Sequence, residues 1–143
     1  MPKCSCAGNS CSCAVQVGDG LTITGTGNAG APFTISLTQT IVTIAQSGAG
    51  ALDLSAVKTG SIVLVNLSAS VTSVVLPSVA GSRIDVVFKQ VTASNTVAWG
   101  TVVKWPGGTA PVVSTTINYM DWFVLRSLST TEWIGAIEGQ AIR

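Results

Sequence analysis

The chain is 143 residues long, 47% apolar and only 9% charged, and its seven basic and six acidic side chains leave a formal charge of +1. With so few charges and no run of one sign, an electrostatic grip on nucleic acid or anionic lipid is excluded; the absence of histidine removes the commonest general base and metal ligand and every Ser-His or Cys-His nucleophile pair. The 19 Val, 10 Ile and 17 Thr, punctuated by 15 Gly, predict an all-β chain.

Residues 1–13 hold Cys4, Cys6, Cys11 and Cys13 among small polar residues, without the continuous apolar stretch of a secretory leader. The expectation is a chain made in a cytosol, with an N-terminal arm that takes its order from a partner or from crosslinks. Two chemistries suit the cysteines. Four thiolates suffice for a closed, tetrahedral structural zinc site, although C-x-C holds two sulfurs around one ion less comfortably than C-x2-C. The alternative is disulfides: Cys4 and Cys6 are badly placed to bridge each other, which favours pairing across the loop to Cys11 and Cys13 or between chains. No cofactor other than such a zinc ion is expected. Redox catalysis is not expected either, since only Lys3 stands near enough to lower a thiol pKa and no C-x-x-C is present.

Residues 14–17 and 21–24 flank the turn Gly18-Asp19-Gly20 and read as a hairpin. Gly25-x-Gly27-x-x-Gly30 matches the dinucleotide fingerprint in letters, but it leads into Ala31-Pro32 and the alternating strand 33–37 rather than the helix that a pyrophosphate needs. Residues 39–46 continue extended until Ser47-Gly48-Ala49-Gly50 breaks the pattern. The predicted boundary lies there: an anchoring arm and β segment over 1–46, and a module over 47–143.

Within the module, residues 61–67 are apolar on both faces, as a central strand covered on both sides would be. The stretch 61–81 tempts a transmembrane reading, but Asn66, Pro77 and several serines make it two short strands around a turn. Residues 83–91 alternate, with Ile84, Val86 and Phe88 on one face and Arg83, Asp85 and Lys89 on the other. Further strands are predicted at 96–99, 112–114, 119–125 and 132–137, with turns at 106–108 and 127–131, the spacing of a sandwich or barrel. No helix, heptad or repeat of 20 to 50 residues is evident. The expected architecture is an antiparallel, jelly-roll-like β-sandwich with an extended N-terminal hairpin arm.

The carboxylates Asp19, Asp53, Asp85, Asp121, Glu132 and Glu138 read as solvated surface, so no catalytic pair and no enzyme are predicted. Of the large aromatics, Trp105 sits in the turn Lys104-Trp105-Pro106-Gly107-Gly108 and is the favoured glycan or receptor contact, with Lys104 and Tyr119 beside it. Phe88, Trp99, Trp122 and Trp133 read as core or subunit-interface anchors. A mean hydropathy of +0.56 is more than a domain this short hides in one core, so self-association is expected.

Two stretches carry a resemblance. Cys-Ser-Cys-x4-Cys-Ser-Cys, followed by the run from Val15 to Leu37, resembles a segment of minor tail and fibre proteins of phages that infect actinobacteria. Phe88-Lys89-Gln90, Thr96-Val97-Ala98-Trp99-Gly100, Val103-Lys104-Trp105-Pro106-Gly107-Gly108-Thr109-Ala110-Pro111, Ser114-Thr115-Thr116 and Glu132-Trp133-Ile134-Gly135 are similar to a β-rich module of phage fibre and head-decoration proteins. The resemblance implies a virion surface protein: a β-sandwich that forms a homotrimer and an N-terminal arm that attaches it to the particle. With no stalk between arm and module, the expectation is a capsid decoration protein on the phage major capsid protein. The alternative is a tail fibre or minor tail protein that is held by tail or baseplate proteins and binds a host-surface glycan.

Overall fold

A computed structural model describes residues 39–143 in full and, before them, the backbone of two strands, β1 (Leu21–Thr24) and β2 (Thr34–Leu37). The chain divides into two compact units, Met1–Thr38 and Gln39–Arg143. In the first, β1 and β2 pair antiparallel, Leu21 opposite Leu37 and Thr24 opposite Thr34. The strand expected at 14–17 and the four cysteines lie outside the described residues.

The second unit holds β3 (Ile41–Gln46), β4 (Gly50–Asp53), β5 (Ile62–Leu67), β6 (Val71–Val75), β7 (Arg83–Gln90), β8 (Val103–Lys104), β9 (Met120–Ser127) and β10 (Trp133–Ile142). Six of these form one sheet in the order β3-β5-β7-β9-β10-β8, and β4 pairs with β6 in a second. The expectation of an antiparallel sandwich needs correction in its pairing. β3, β5 and β7 run parallel, as do β4 and β6 and the bridge from Val71 to Val97, and antiparallel pairing begins only where β9 joins β7. Alternation assigns residues to faces and is silent about strand direction, which explains the difference.

The parallel strands arise because the chain winds. Each pass crosses the large sheet, turns a corner of small residues, crosses the small sheet and returns. Ile41 lies beside Ile62 and Ile62 beside Asp85, so each coil uses roughly 20 residues, the short end of the range for stacked repeats. Residues 47–50 are therefore a corner and not a boundary, and the strand before them belongs with the module. The repeat, not evident as letters, is visible in register: Val42, Val63 and Val86 align, as do Ile44, Val65 and Phe88, and each strand ends in a small-residue corner. Gly60 and Gly81, both at positive φ and both followed by a buried serine, mark the entry into β5 and β7.

Inward-facing side chains of both sheets make one core, with Val63, Val65, Ile84, Val86, Phe88, Phe123 and Leu125 from the large sheet and Leu52, Val71 and Val74 from the small one. At its centre Phe88, Trp99, Trp105 and Phe123 meet edge to face, with ring centroids 4.8 Å apart for Trp99 and Trp105 and 5.0 Å for Trp99 and Phe123. The cluster depends on an absent side chain: a Cβ on Gly135 would stand 2.4 Å from Cζ3 of Trp105. Gly135→Ala therefore forces the indole out of its seat and should cost about 1–3 kcal/mol, the usual penalty of overpacking. Urea denaturation checks this, with Gly48→Ala, where nothing lies within 4 Å of the new methyl, as the control.

Candidate functional site

The structure separates the side chains read as a glycan contact. Trp105 is buried, with 8% of its surface exposed, because β8 docks beside β10 and lays the indole over Gly135. Only Lys104 of that pair reaches solvent. Turn chemistry at Pro106-Gly107-Gly108 marked a loop, whereas the residue before it is anchored by a strand pairing that the local sequence does not announce. Tyr119 stands toward the opposite end of the β9–β10 pair, roughly 20 Å away at the usual rise per strand residue. Its hydroxyl accepts a hydrogen bond from Nε of Arg143, whose guanidinium lies 4.9 Å from the ring centroid.

Phe88, Trp99 and Trp133 are buried, and Nε1 of Trp99 donates to the Pro111 carbonyl at 3.2 Å. Trp122 is different. It projects from the outer face of the large sheet with 37% of its surface exposed. Register builds a row across that face: Thr43 beside Leu64, Leu64 beside Val87, and Val87 beside Trp122. The next row runs Ile41, Ile62, Asp85, Val124 and Ala136. The outer face is thus apolar across its middle, with Lys89 and Arg126 toward its margins.

Asp85 is the one acidic residue in those rows, and it is buried. Nε of Arg83 donates to its Oδ1 at 2.9 Å and Nη2 to its Oδ2 at 3.3 Å, and this pairing raises the already high pKa of Arg83. Asp53, exposed on the small sheet, is held below the ordinary carboxylate value by hydrogen bonding from Ser55. No group of three or more metal-ligating side chains occurs among the described residues.

Two buried polar sites were not legible in the sequence. Asp121, read as surface, is 1% exposed and accepts from Ser114 N at 2.5 Å, Ser114 Oγ at 2.8 Å and Ala141 N at 2.9 Å, tying the segment before β9 and the end of β10 to one carboxylate. Nδ2 of Asn95 donates to the Leu67 carbonyl and to Oε1 of Gln90, and Nε2 of Gln90 returns a bond to the Asn95 carbonyl at 2.8 Å. These close the third corner of the coil. Replacing Asp121 by Ala leaves buried donors unmatched and should cost about 2–4 kcal/mol. Thermal unfolding measures the loss, and amide exchange at Ser114 and Ala141 should quicken with it.

Comparison with known protein families, with characterised proteins and with solved structures finds no match to this chain.

Proposed function

We propose that the protein is a noncatalytic structural component of a virion surface, a capsid decoration protein of a tailed bacteriophage. It acts as a homotrimer and is held to the major capsid protein by its N-terminal arm. One observation carries the assembly part of this reading: the outer face of the large sheet presents Leu64, Val87 and the exposed Trp122 on strands whose other face is already packed. Parallel strands are ordinarily covered on both faces, and an apolar surface rimmed by polar residues is the usual mark of a protein contact. The phage setting rests on the sequence resemblance alone.

The chemistry of the face supports burial against a sister chain. Its central acid is already paired within the chain, so covering it strands no lone charge. A half-exposed Trp is the kind of side chain that anchors an interface. The glycan-binding alternative drew on Trp105 as its stacking platform, and with that indole buried no specific contact favours it.

Two experiments test the reading. In sedimentation, Trp122→Lys should weaken association at least tenfold in subunit concentration while leaving the far-ultraviolet circular dichroism intact; an unchanged mass distribution would remove the face from the interface. Deleting residues 1–13 should abolish binding to host-phage particles without dissociating the oligomer. A truncated chain that still decorates particles counts against the anchoring arm.

A further inference from the structure

Among the described residues the large sheet has two edges, and they are built differently. The far edge is β8 for two residues only, with Lys104 and then Pro106; past β8 the edge is the rest of β10, residues 135–142, which carries Glu138 and two register shifts. Short length, charge, a proline and bulges are the usual devices that stop a sheet from recruiting another strand. The β3 edge has none of them: Ile41–Gln46 is six residues, regular in register, without charge, proline or bulge.

The free side of β3 can be assigned atom by atom. Ile62 N donates to the Thr40 carbonyl at 2.9 Å and Ser68 N to the Gln46 carbonyl at 3.0 Å. In a parallel ladder this turns the backbone groups of Val42, Ile44 and Gln46 toward β5 and those of Ile41, Thr43 and Ala45 toward the open edge. The side chains tell the same story. Val42 and Ile44 point inward but are only half-buried, whereas their counterparts Val63, Val65, Val86 and Phe88 one and two coils along are buried. The first coil ends in a cavity of about 380 Å³, lined by Val42, Ile44, Ala56 and Val57 among others. Ile41, on the outer face, is 67% exposed.

We propose that β3 is a docking edge for a second copy of this chain, the two β3 strands pairing antiparallel about a twofold axis at Thr43. That register is the one that uses every open backbone group: Thr43 meets Thr43, and Ile41 meets Ala45, each pair exchanging N–H···O bonds. It also sets Val42 against Ile44 of the partner subunit on the inward side, which closes both open cores at once. An edge without charge has nothing to select a foreign strand and is complementary to itself. The far edge, blunted by Lys104 and Pro106 at β8 and by Glu138 and two register shifts along β10, opposes head-to-tail addition, so the contact closes at two copies rather than growing into a filament.

This goes beyond the threefold reading and does not need it. With a trimer formed through another surface, the twofold contact gives six copies; without one, it gives two. The test is sedimentation velocity on the full chain with Thr43→Pro and, separately, Ile41→Lys. Proline at 43 removes an N–H that faces away from β5, so the internal ladder is kept. The expected result is an even-numbered wild-type species whose mass halves in both variants, with the circular dichroism spectrum unchanged. A trimer or any other odd-numbered wild-type species overturns the proposal, as does a mass insensitive to both substitutions. A single subunit whose Thr43 amide exchanges slowly also overturns it, because the chain then covers its own edge. Failure of the threefold reading alone leaves a dimer, and failure of the twofold contact alone leaves a trimer, so the two are distinguishable.

Discussion

Parallel pairing of β3, β5 and β7 is the constraint from which the rest of this structure follows. A parallel neighbour cannot be reached by a tight turn, so the chain must leave the sheet and come back. Here it returns through a second small sheet and not through helices. That choice has two consequences. It builds a core between the sheets from successive coils, and among the described residues no helical layer of the kind that covers most parallel sheets lies on the outer face of the large sheet. The apolar row from Leu64 to Trp122 is what remains visible of that missing layer.

The stack is treated differently at its two ends. After β7, antiparallel β9 and β10 continue the sheet, and the segment between β7 and β9 folds Trp99 and Trp105 into the core. The aromatic cluster is thus a plug at the C-terminal end of the stack, and its fit over Gly135 links β8 to β10 where only two residues pair. Nothing equivalent covers the first coil among the described residues. Its inward valine and isoleucine therefore gain less from burial than the same positions one coil along, where full burial of such a side chain contributes about 1.5–3 kcal/mol.

Much of this was legible in the amino-acid sequence. The alternation of Ile84, Val86 and Phe88 against Asp85 and Lys89 placed β7 and its inward face, although Asp85, read as solvated, is buried; the apolar run 62–67 placed β5 within the sheet, but its outward side chains are only half-buried, short of the cover expected on both sides. Direction was not legible, because a period of two residues says which face a side chain occupies and nothing about the neighbour's polarity. β4 was hidden for a different reason: Gly50-Ala51-Leu52-Asp53 offers a single large apolar residue, and its strand character comes from β6 beside it. Trp105 and Asp121 share a third cause. Each is buried by a partner distant along the chain, Gly135 for one and the backbone of Ala141 for the other, so local composition pointed to the surface in both cases.

The sparse charge of the chain takes on meaning once the strands are placed. A surface meant to be covered must shed water cheaply, and an ion that loses its hydration without a partner costs several kcal/mol. On the outer face the acid is already neutralised by Arg83 from its own strand, and Lys89 can lay its methylenes along the sheet while its ammonium stays at the rim. The β3 edge goes further and carries no charge at all. The low charge that argued against a nucleic-acid partner is thus concentrated as neutrality on the face and the edge where apolar groups are left uncovered among the described residues. Solubility of a single copy is set against the stability of an assembly, and this distribution suits the assembly proposed above.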